Sequence, residues 1–320
     1  MQTLKLAYLW NPWFQETVIN HLITKLSKKK IEITSPEKAD LLVIGSFNLN
    51  AYSRRIINTI KKKINLEKYF ENIDLLSFRS YQPLKIFYCN EYSPLDSYKA
   101  DYYISSNLGM HGYEDKHLRF PYWKDHIDWS HEDINRHSNI GNAKRFGSFH
   151  KIEDLMIPQG EDFLKKKNIC IFASHLNEPR KSFYLNFSKN FTVDGYGPYF
   201  DKSIKNHNTS KYKKKDIMKN YAFNLCPENI MYPGHYTEKI LDSFIGKCLP
   251  ISWADNNVNE EFNQKAFINL NNFLNSDMQE LFKSLRDESF LREYAKEPLL
   301  FKKPSLNIEK KFFEKILSNL

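Results

Sequence analysis

Short β-type runs recur along this chain at intervals that leave room for one helix between each, and that alternation constrains the fold more than any other feature. Apolar runs occupy residues 4–10, 31–34, 40–44, 85–89 and 101–104. Between them, Phe14, Val18, Ile19, Leu22, Ile23 and Leu26 repeat at helical spacing, and so do Ile56, Ile57 and Ile60. The pattern restarts with runs at 168–173, 191–193, 221–226, 249–253 and 267–270, with helices expected from Arg180, near Lys213 and from Thr237. Strands joined through helices pair in parallel, because a parallel crossover needs about a dozen residues and a helix supplies them. Runs that are apolar throughout mark strands covered on both faces. The expected class is α/β, with doubly wound sheets.

A chain of 320 residues is long enough for about two domains of ~150 residues each. Apolar density falls between residues 130 and 161, so the boundary is expected at 150/151: one domain over 1–150, a second over 151–305. Residues 306–320 read as an amphipathic helix, with Phe312, Phe313, Ile316 and Leu317 on one face and Lys311, Glu314 and Lys315 opposite. Such a helix either packs back across the domains or lies at a membrane surface, so peripheral membrane contact is one expectation. No run approaches the ~20 apolar residues of a bilayer span, and the first ten residues lack the basic start and cleavage site of a signal peptide. Cys89, Cys170, Cys226 and Cys248 are far apart and each lies in or beside an apolar run. Buried, reduced thiols and a cytoplasmic location, at most peripheral at the membrane's inner face, are the expectation.

The net charge of +9 invites an anionic partner. The Lys runs at 28–30, 61–63, 165–167 and 213–215 are scattered, and each reads as a solvated helix end or loop. No helix-turn-helix, zinc-finger or RNP pattern accompanies them, so nucleic acid is not an expected partner.

Ligands of doubly wound sheets bind beyond the carboxyl ends of the strands. After the run at 221–226 comes a loop and then Thr237-Glu-Lys-Ile-Leu-Asp-Ser-Phe-Ile-Gly246, in which Thr237 suits an N-cap and Gly246 a C-terminal stop. Lys239 then falls in the first helical turn, where a cation is disfavoured unless an anion is also present. Arg180 opens another helix after the run at 168–173 and has the fork geometry that grips phosphate. Each cation alone also reads as a solvated side chain; together they point to a diphosphate. Glu91 follows the run at 85–89 and suits a general base or a helix cap. Trp13, Tyr92, Trp123 and Trp129 are acceptor contacts or core aromatics.

Three segments carry a resemblance. Tyr221-Ala-Phe-Asn-Leu-Cys-Pro-Glu-Asn229, His235-Tyr-Thr-Glu-Lys239 and Leu249-Pro-Ile-Ser-Trp253 resemble the signature block of α-1,3/1,4-fucosyltransferases, closest to its bacterial soluble branch. Glu91-Tyr-Ser-Pro94, Asp101-Tyr-Tyr-Ile104, Leu118-Arg-Phe-Pro-Tyr122 and Asp194-Gly-Tyr-Gly197 are similar to further segments of that family. Pro227 and Trp253-Ala254 depart from its pattern. The resemblance implies a GT-B architecture, two Rossmann-like domains facing a cleft, the second holding GDP-fucose and the first a glycan acceptor. It implies an inverting transfer of fucose to a GlcNAc-containing glycan, most simply with α-1,3 linkage. In that reading Glu91 is the base, while Arg180, Asn229, Glu238 and Lys239 hold the donor and either His235 or Tyr236 touches it. No Asp-x-Asp pair occurs in the chain, so no metal ligand set and no obligatory cofactor are expected, a divalent ion being at most stimulatory. A glycosyltransferase for another nucleotide sugar and a nonenzymatic polyanion-binding protein are the alternatives.

Overall fold

The computed structural model describes residues 2–9, 14–45, 83–89, 100–108, 114–137, 141–166, 168–201, 213–274 and 278–320. All ten strands expected from the apolar runs are present; the helix expected around Ile56–Ile60 lies outside the described residues. The chain divides into one unit made of Met1–Phe120 with Leu306–Leu320, and a second made of Pro121–Ser305.

The first unit contains β1 (Thr3–Leu9), α1 (Val18–Leu26), β2 (Lys30–Ile33), β3 (Leu41–Gly45), β4 (Leu84–Cys89), β5 (Tyr102–Ser105) and β6 (His117–Arg119). Its strands form one parallel sheet in the order β2-β1-β3-β4-β5-β6. Every residue of β3 is buried, as a central strand covered on both faces requires. Thr17 starts α1: its hydroxyl accepts from the Asn20 amide at 3.2 Å, and the helix buries Val18, Ile19, Leu22 and Ile23. β6 is a strand that the apolar pattern does not reveal. Its three residues, His-Leu-Arg, are held extended by pairing with β5 at the sheet edge.

In the second unit come α2 (Gly141–Phe146), α3 (Ile152–Leu155), β7 (Ile169–Phe172), α4 (Arg180–Ser188), β8 (Val193–Tyr196), α5 (Lys214–Met218), β9 (Phe223–Leu225), α6 (Lys239–Ile245), β10 (Leu249–Ser252), β11 (Ile268–Asn269), α7 (Met278–Ser284) and α8 (Glu288–Ala295). The parallel sheet runs β11-β10-β9-β7-β8. Alternate side chains serve opposite faces. Ile169 and Ile171 join Phe183, Phe187 and Phe282 on one side. Cys170 joins Phe146, Met218, Tyr221 and Cys248 on the other. All four cysteines are buried and no disulfide joins them. Gly197 follows β8 at φ +100°, where a Cβ would come 2.7 Å from the Ala173 carbonyl oxygen, so that close approach admits only glycine.

The division falls at 120/121 rather than 150/151. Residues 121–150 are polar on average, yet Trp123, Ile127, Trp129 and Ile134 are buried, and those few large side chains tie the segment to the second unit. The last segment is likewise not a separate element. Its helix, α9 (Asn307–Leu317), belongs to the first unit and packs against α1. Phe313 and Ile316 are fully buried there, the Phe312 ring meets Tyr102 edge-on at 5.6 Å, and Lys29 Nζ donates to the Leu320 carbonyl at 2.9 Å. The apolar face of α9 is thus occupied within the fold. Among the described residues, no helix is long and apolar enough to cross a membrane.

Candidate active site

In the second sheet, β8 lies on one side of β7 and β9 on the other. That reversal is a topological switch point, where the loops after β7 and β9 part and leave a crevice. The loop after β7 leads to Arg180, and the loop after β9 carries residues 226–238 into α6. Both cations singled out in the sequence therefore stand at the same end of the same sheet.

Arg180 is buried. Its Nη1 donates to the His175 carbonyl at 3.0 Å and to Asn229 Oδ1 at 2.8 Å, and its Nη2 to the Phe172 carbonyl at 3.2 Å. A guanidinium has five N–H groups, so one on Nη2 and that on Nε are left over; Nε is buried with no partner among the described residues. Burial pulls the Arg180 pKa below its ordinary value against the opposing pull of Glu228 and Glu238, but a guanidinium starts so high that it stays charged. Asn229 acts as its side-chain brace.

Lys239 is the first residue of α6. Its Nζ donates to Glu228 Oε2 at 2.7 Å and to Thr237 Oγ1 at 2.8 Å. Glu228 is itself buried and also accepts from the Thr237 amide at 2.9 Å and hydroxyl at 2.8 Å. Burial lowers the Lys239 pKa, but Glu228 and Glu238 outweigh it and leave the value raised. The ammonium is firmly charged. Thr237 does not cap α6: its N–H and hydroxyl are captured by Glu228, and Glu238 occupies the cap position without a side-chain cap bond.

Glu238 and Asp242 are one helical turn apart, hence on one face of α6, and Lys214 stands against both. Its Nζ is 2.9 Å from Asp242 Oδ2 and 3.8 Å from Glu238 Oε1. Burial would raise the Glu238 pKa; Lys239, Lys214 and His126 reverse that and hold it well below the usual carboxylate range. Asp242 shows the same balance, burial against Lys214 and His150, and its pKa is also lowered. Its other oxygen lies 2.9 Å from Nε2 of the buried His150. Nearby His126 is pushed down to about 4, chiefly by burial. A cavity of about 40 Å³ opens onto these groups, lined among others by Phe172, Lys214, Asn224, Glu238, Lys239 and Asp242.

The two aromatic candidates separate from the cavity. Tyr236 is buried and its hydroxyl donates to the Asp255 carboxylate at 3.0 Å, while its carbonyl accepts from the Trp123 amide. It braces the loop. His235 is buried beside it. Glu91 lies outside the described residues, as do Trp13 and Tyr92. Trp123 and Trp129 belong to the second unit and are core residues: the indole of Trp123 donates to Glu261, and that of Trp129 to the Lys124 carbonyl at 2.8 Å. Sequence reasoning missed Glu228, Lys214, Asp242 and His150. The four-residue spacing of Glu238 and Asp242 was the available signal for Asp242; Lys214 and His150 meet it only through the fold.

Comparison with known proteins places this arrangement in context. Residues 163–296 match the family model described as glycosyltransferase family 10 (fucosyltransferase), C-terminal part. An α-(1,3)-fucosyltransferase FucT of Helicobacter pylori is 29% identical over 213 residues, 62% of this chain and 43% of that protein. A putative fucosyltransferase of Acanthamoeba polyphaga mimivirus is 28% identical over 161 residues, 47% of this chain and 27% of that one. These matches span less than half of either curated relative. A crystal structure of an α1,3-fucosyltransferase with GDP-fucose superposes with a TM-score of 0.65 at 22% identity, covering 100% of this chain and 92% of that one. A second crystal structure of an α1,3-fucosyltransferase gives 0.64 at 22% identity, covering 99% of this chain and 91% of that one. The two parallel sheets with their helices share that α/β, GT-B-like fold. The match to the family 10 model lies over the strands and loops that build the cavity, from β7 to β11.

Proposed function

We propose that this protein is an inverting α-1,3-fucosyltransferase that moves L-fucose from GDP-fucose to a hydroxyl of a GlcNAc-containing glycan. The observation that carries the reading is the pair of incompletely satisfied cations at the switch point. Arg180 keeps two N–H groups and Lys239 one beyond their partners among the described residues; Lys239 lines a cavity at the carboxyl end of a parallel sheet, and Phe172, whose carbonyl accepts from Arg180, lines it too. A buried donor without an acceptor costs about 1–3 kcal/mol, and a bound diphosphate removes that cost. Support for the donor's identity comes from the family match and from the GDP-fucose complex of a protein with this fold.

The chemistry follows from where charge develops. The acceptor oxygen forms its bond to the anomeric carbon of fucose as the bond from that carbon to the diphosphate breaks, and the electron pair of the broken bond leaves on GDP. Arg180 and Lys239 face that growing negative charge. Glu238, held ionised by its cationic neighbours, offers a carboxylate to sugar or ribose hydroxyls. Glu91 takes the acceptor proton from the opposite side, so one displacement inverts the anomeric centre. The chain's own cations offset the leaving charge, and in this reading a divalent metal is stimulatory at most.

The test is GDP release and product analysis with GDP-fucose and a panel of β-galactosyl-GlcNAc acceptors. The expected results are a fucosylated product of inverted configuration, activity surviving EDTA, and a fall of about 10²–10⁴-fold in Glu91→Ala. Undiminished turnover in that variant removes Glu91 as base. Release from GDP-mannose or a UDP-sugar but not GDP-fucose would overturn the donor assignment. Salt-sensitive polyanion binding with no GDP binding would overturn the enzyme reading altogether.

A further inference from the structure

Lys214 sits in a run of lysines that reads as a solvated helix end, yet the structure holds it inward. Its side chain is 22% exposed, lines the cavity and is gripped by the carboxylates of α6. Of its three N–H bonds, one goes to Asp242 Oδ2 at 2.9 Å and a second faces Glu238 Oε1 at 3.8 Å. The third has no protein partner among the described residues. The flexible four-carbon stem of a lysine would leave such a head free to wander; here the Phe172 ring lies 5.9 Å from the ammonium and Asp242 fixes it.

Asp242 is fixed in its turn. It is buried, and its Oδ1 is held by His150 Nε2 at 2.9 Å, with the His150 imidazole packed edge-on against Phe146 at 4.6 Å. His126, His150 and Asp242 also lie within 4.8 Å of one another and offer the donor types a transition metal takes. The carboxylate, however, is already shared between the ammonium on one oxygen and the imidazole on the other. The cluster is therefore a chain of contacts, His150 to Asp242 to Lys214, that ends at the cavity.

We propose that Lys214 is a third cationic contact for the diphosphate of the nucleotide sugar, and that Asp242, braced by His150, is its positioning residue. The inference rests on the donor-binding reading above. It assigns a ligand contact to a residue outside the signature block and explains why a buried aspartate-histidine pair is maintained beneath the site. Binding the phosphate would use the third N–H and leave the Asp242 bond intact. Arg180, Lys239 and Lys214 would then approach the anion from three elements, α4, α6 and α5.

The experiment compares GDP with guanosine as calorimetric titrants for the wild-type chain and for Lys214→Met, Lys214→Arg and Asp242→Asn. Lys214→Met should weaken GDP binding about tenfold or more, the loss of one charge-assisted hydrogen bond, while guanosine affinity stays within about twofold of wild type. Lys214→Arg should recover most of the GDP affinity, and Asp242→Asn should show a smaller loss confined to GDP. A merely structural role would lower GDP and guanosine binding together, and that outcome overturns the proposal. So does GDP affinity unchanged in Lys214→Met. If wild type itself fails to bind GDP, the donor-binding reading falls first and this one with it; if wild type binds and the variants match it, only this inference fails.

Discussion

Two histidines, one in each unit, are kept neutral by their surroundings, and acid sensitivity follows from them. His126 is pushed down to about 4 chiefly by burial, which prevails over the attraction of Glu238 and Asp242. His117, whose Nε2 lies 2.8 Å from Ser105 Oγ, is also lowered to about 4, by burial and then by Arg119. An unfolded histidine titrates near 6.5, so the unfolded chain takes up protons first as pH falls. The stability these residues lend is complete above about pH 6.5, declines as pH drops, and is gone below about pH 4. For the buried His126 the full swing is of order 3 kcal/mol. Urea midpoints from pH 7 to pH 4.5 should fall accordingly, and His126→Gln should flatten the part of the slope belonging to the second unit. At this scale the sequence made Arg180 and Lys239 legible because a cation at a helix start is anomalous. Lys214 stayed hidden because a lysine inside a lysine run is ordinary, and only the fold sets it against Glu238 and Asp242.

Strands were the most legible elements. A segment such as Leu-Leu-Val-Ile in β3, buried at every position, has no polar face to confuse with a helix or loop. β6 escaped because its pairing, not its composition, makes it a strand. The cap of α6 moved by one residue, from Thr237 to Glu238, for a chemical reason: Thr237 has the right side chain for a cap, but Glu228 binds it first. For α9 the amphipathic pattern was plain and its destination was not, since a membrane surface and a protein surface ask for the same apolar stripe. Its contact with α1 makes Phe313, fully buried, the residue to test. Phe313→Ala should destabilise the first unit by about 3–5 kcal/mol, read as a lower urea midpoint for probes in that unit. An unchanged midpoint would mean that the helix is dispensable to the unit's core.

For the molecule as a whole, the parallel sheets and the two-unit count were readable from the spacing of apolar runs, whereas the division between units was not. Composition marks residues 121–150 as linker-like, but a handful of buried aromatics decides where they belong. The units also differ in what a ligand should do to them. All the groups of the proposed donor site described above lie within Pro121–Ser305. A nucleotide at a hundred times its dissociation constant stabilises the state it binds by about 2.7 kcal/mol. GDP should therefore slow hydrogen exchange around α4, β9 and α6 and leave α1 and β1–β3 unaffected; equal protection of both sets would place the binding groups elsewhere.

The discontinuity of the first unit has a consequence for how the chain is made. A ribosome delivers residues 121–305 in full before it delivers 306–320, although the latter complete the unit that holds residues 1–120. Domains tend to fold as units while synthesis proceeds from the amino end, yet here the later-encoded unit has all its parts first. Until α9 emerges, α1 waits with the surface meant for Phe313 and Ile316 open to water, so nascent chains stalled between residues 305 and 306 are the ones that most need a chaperone.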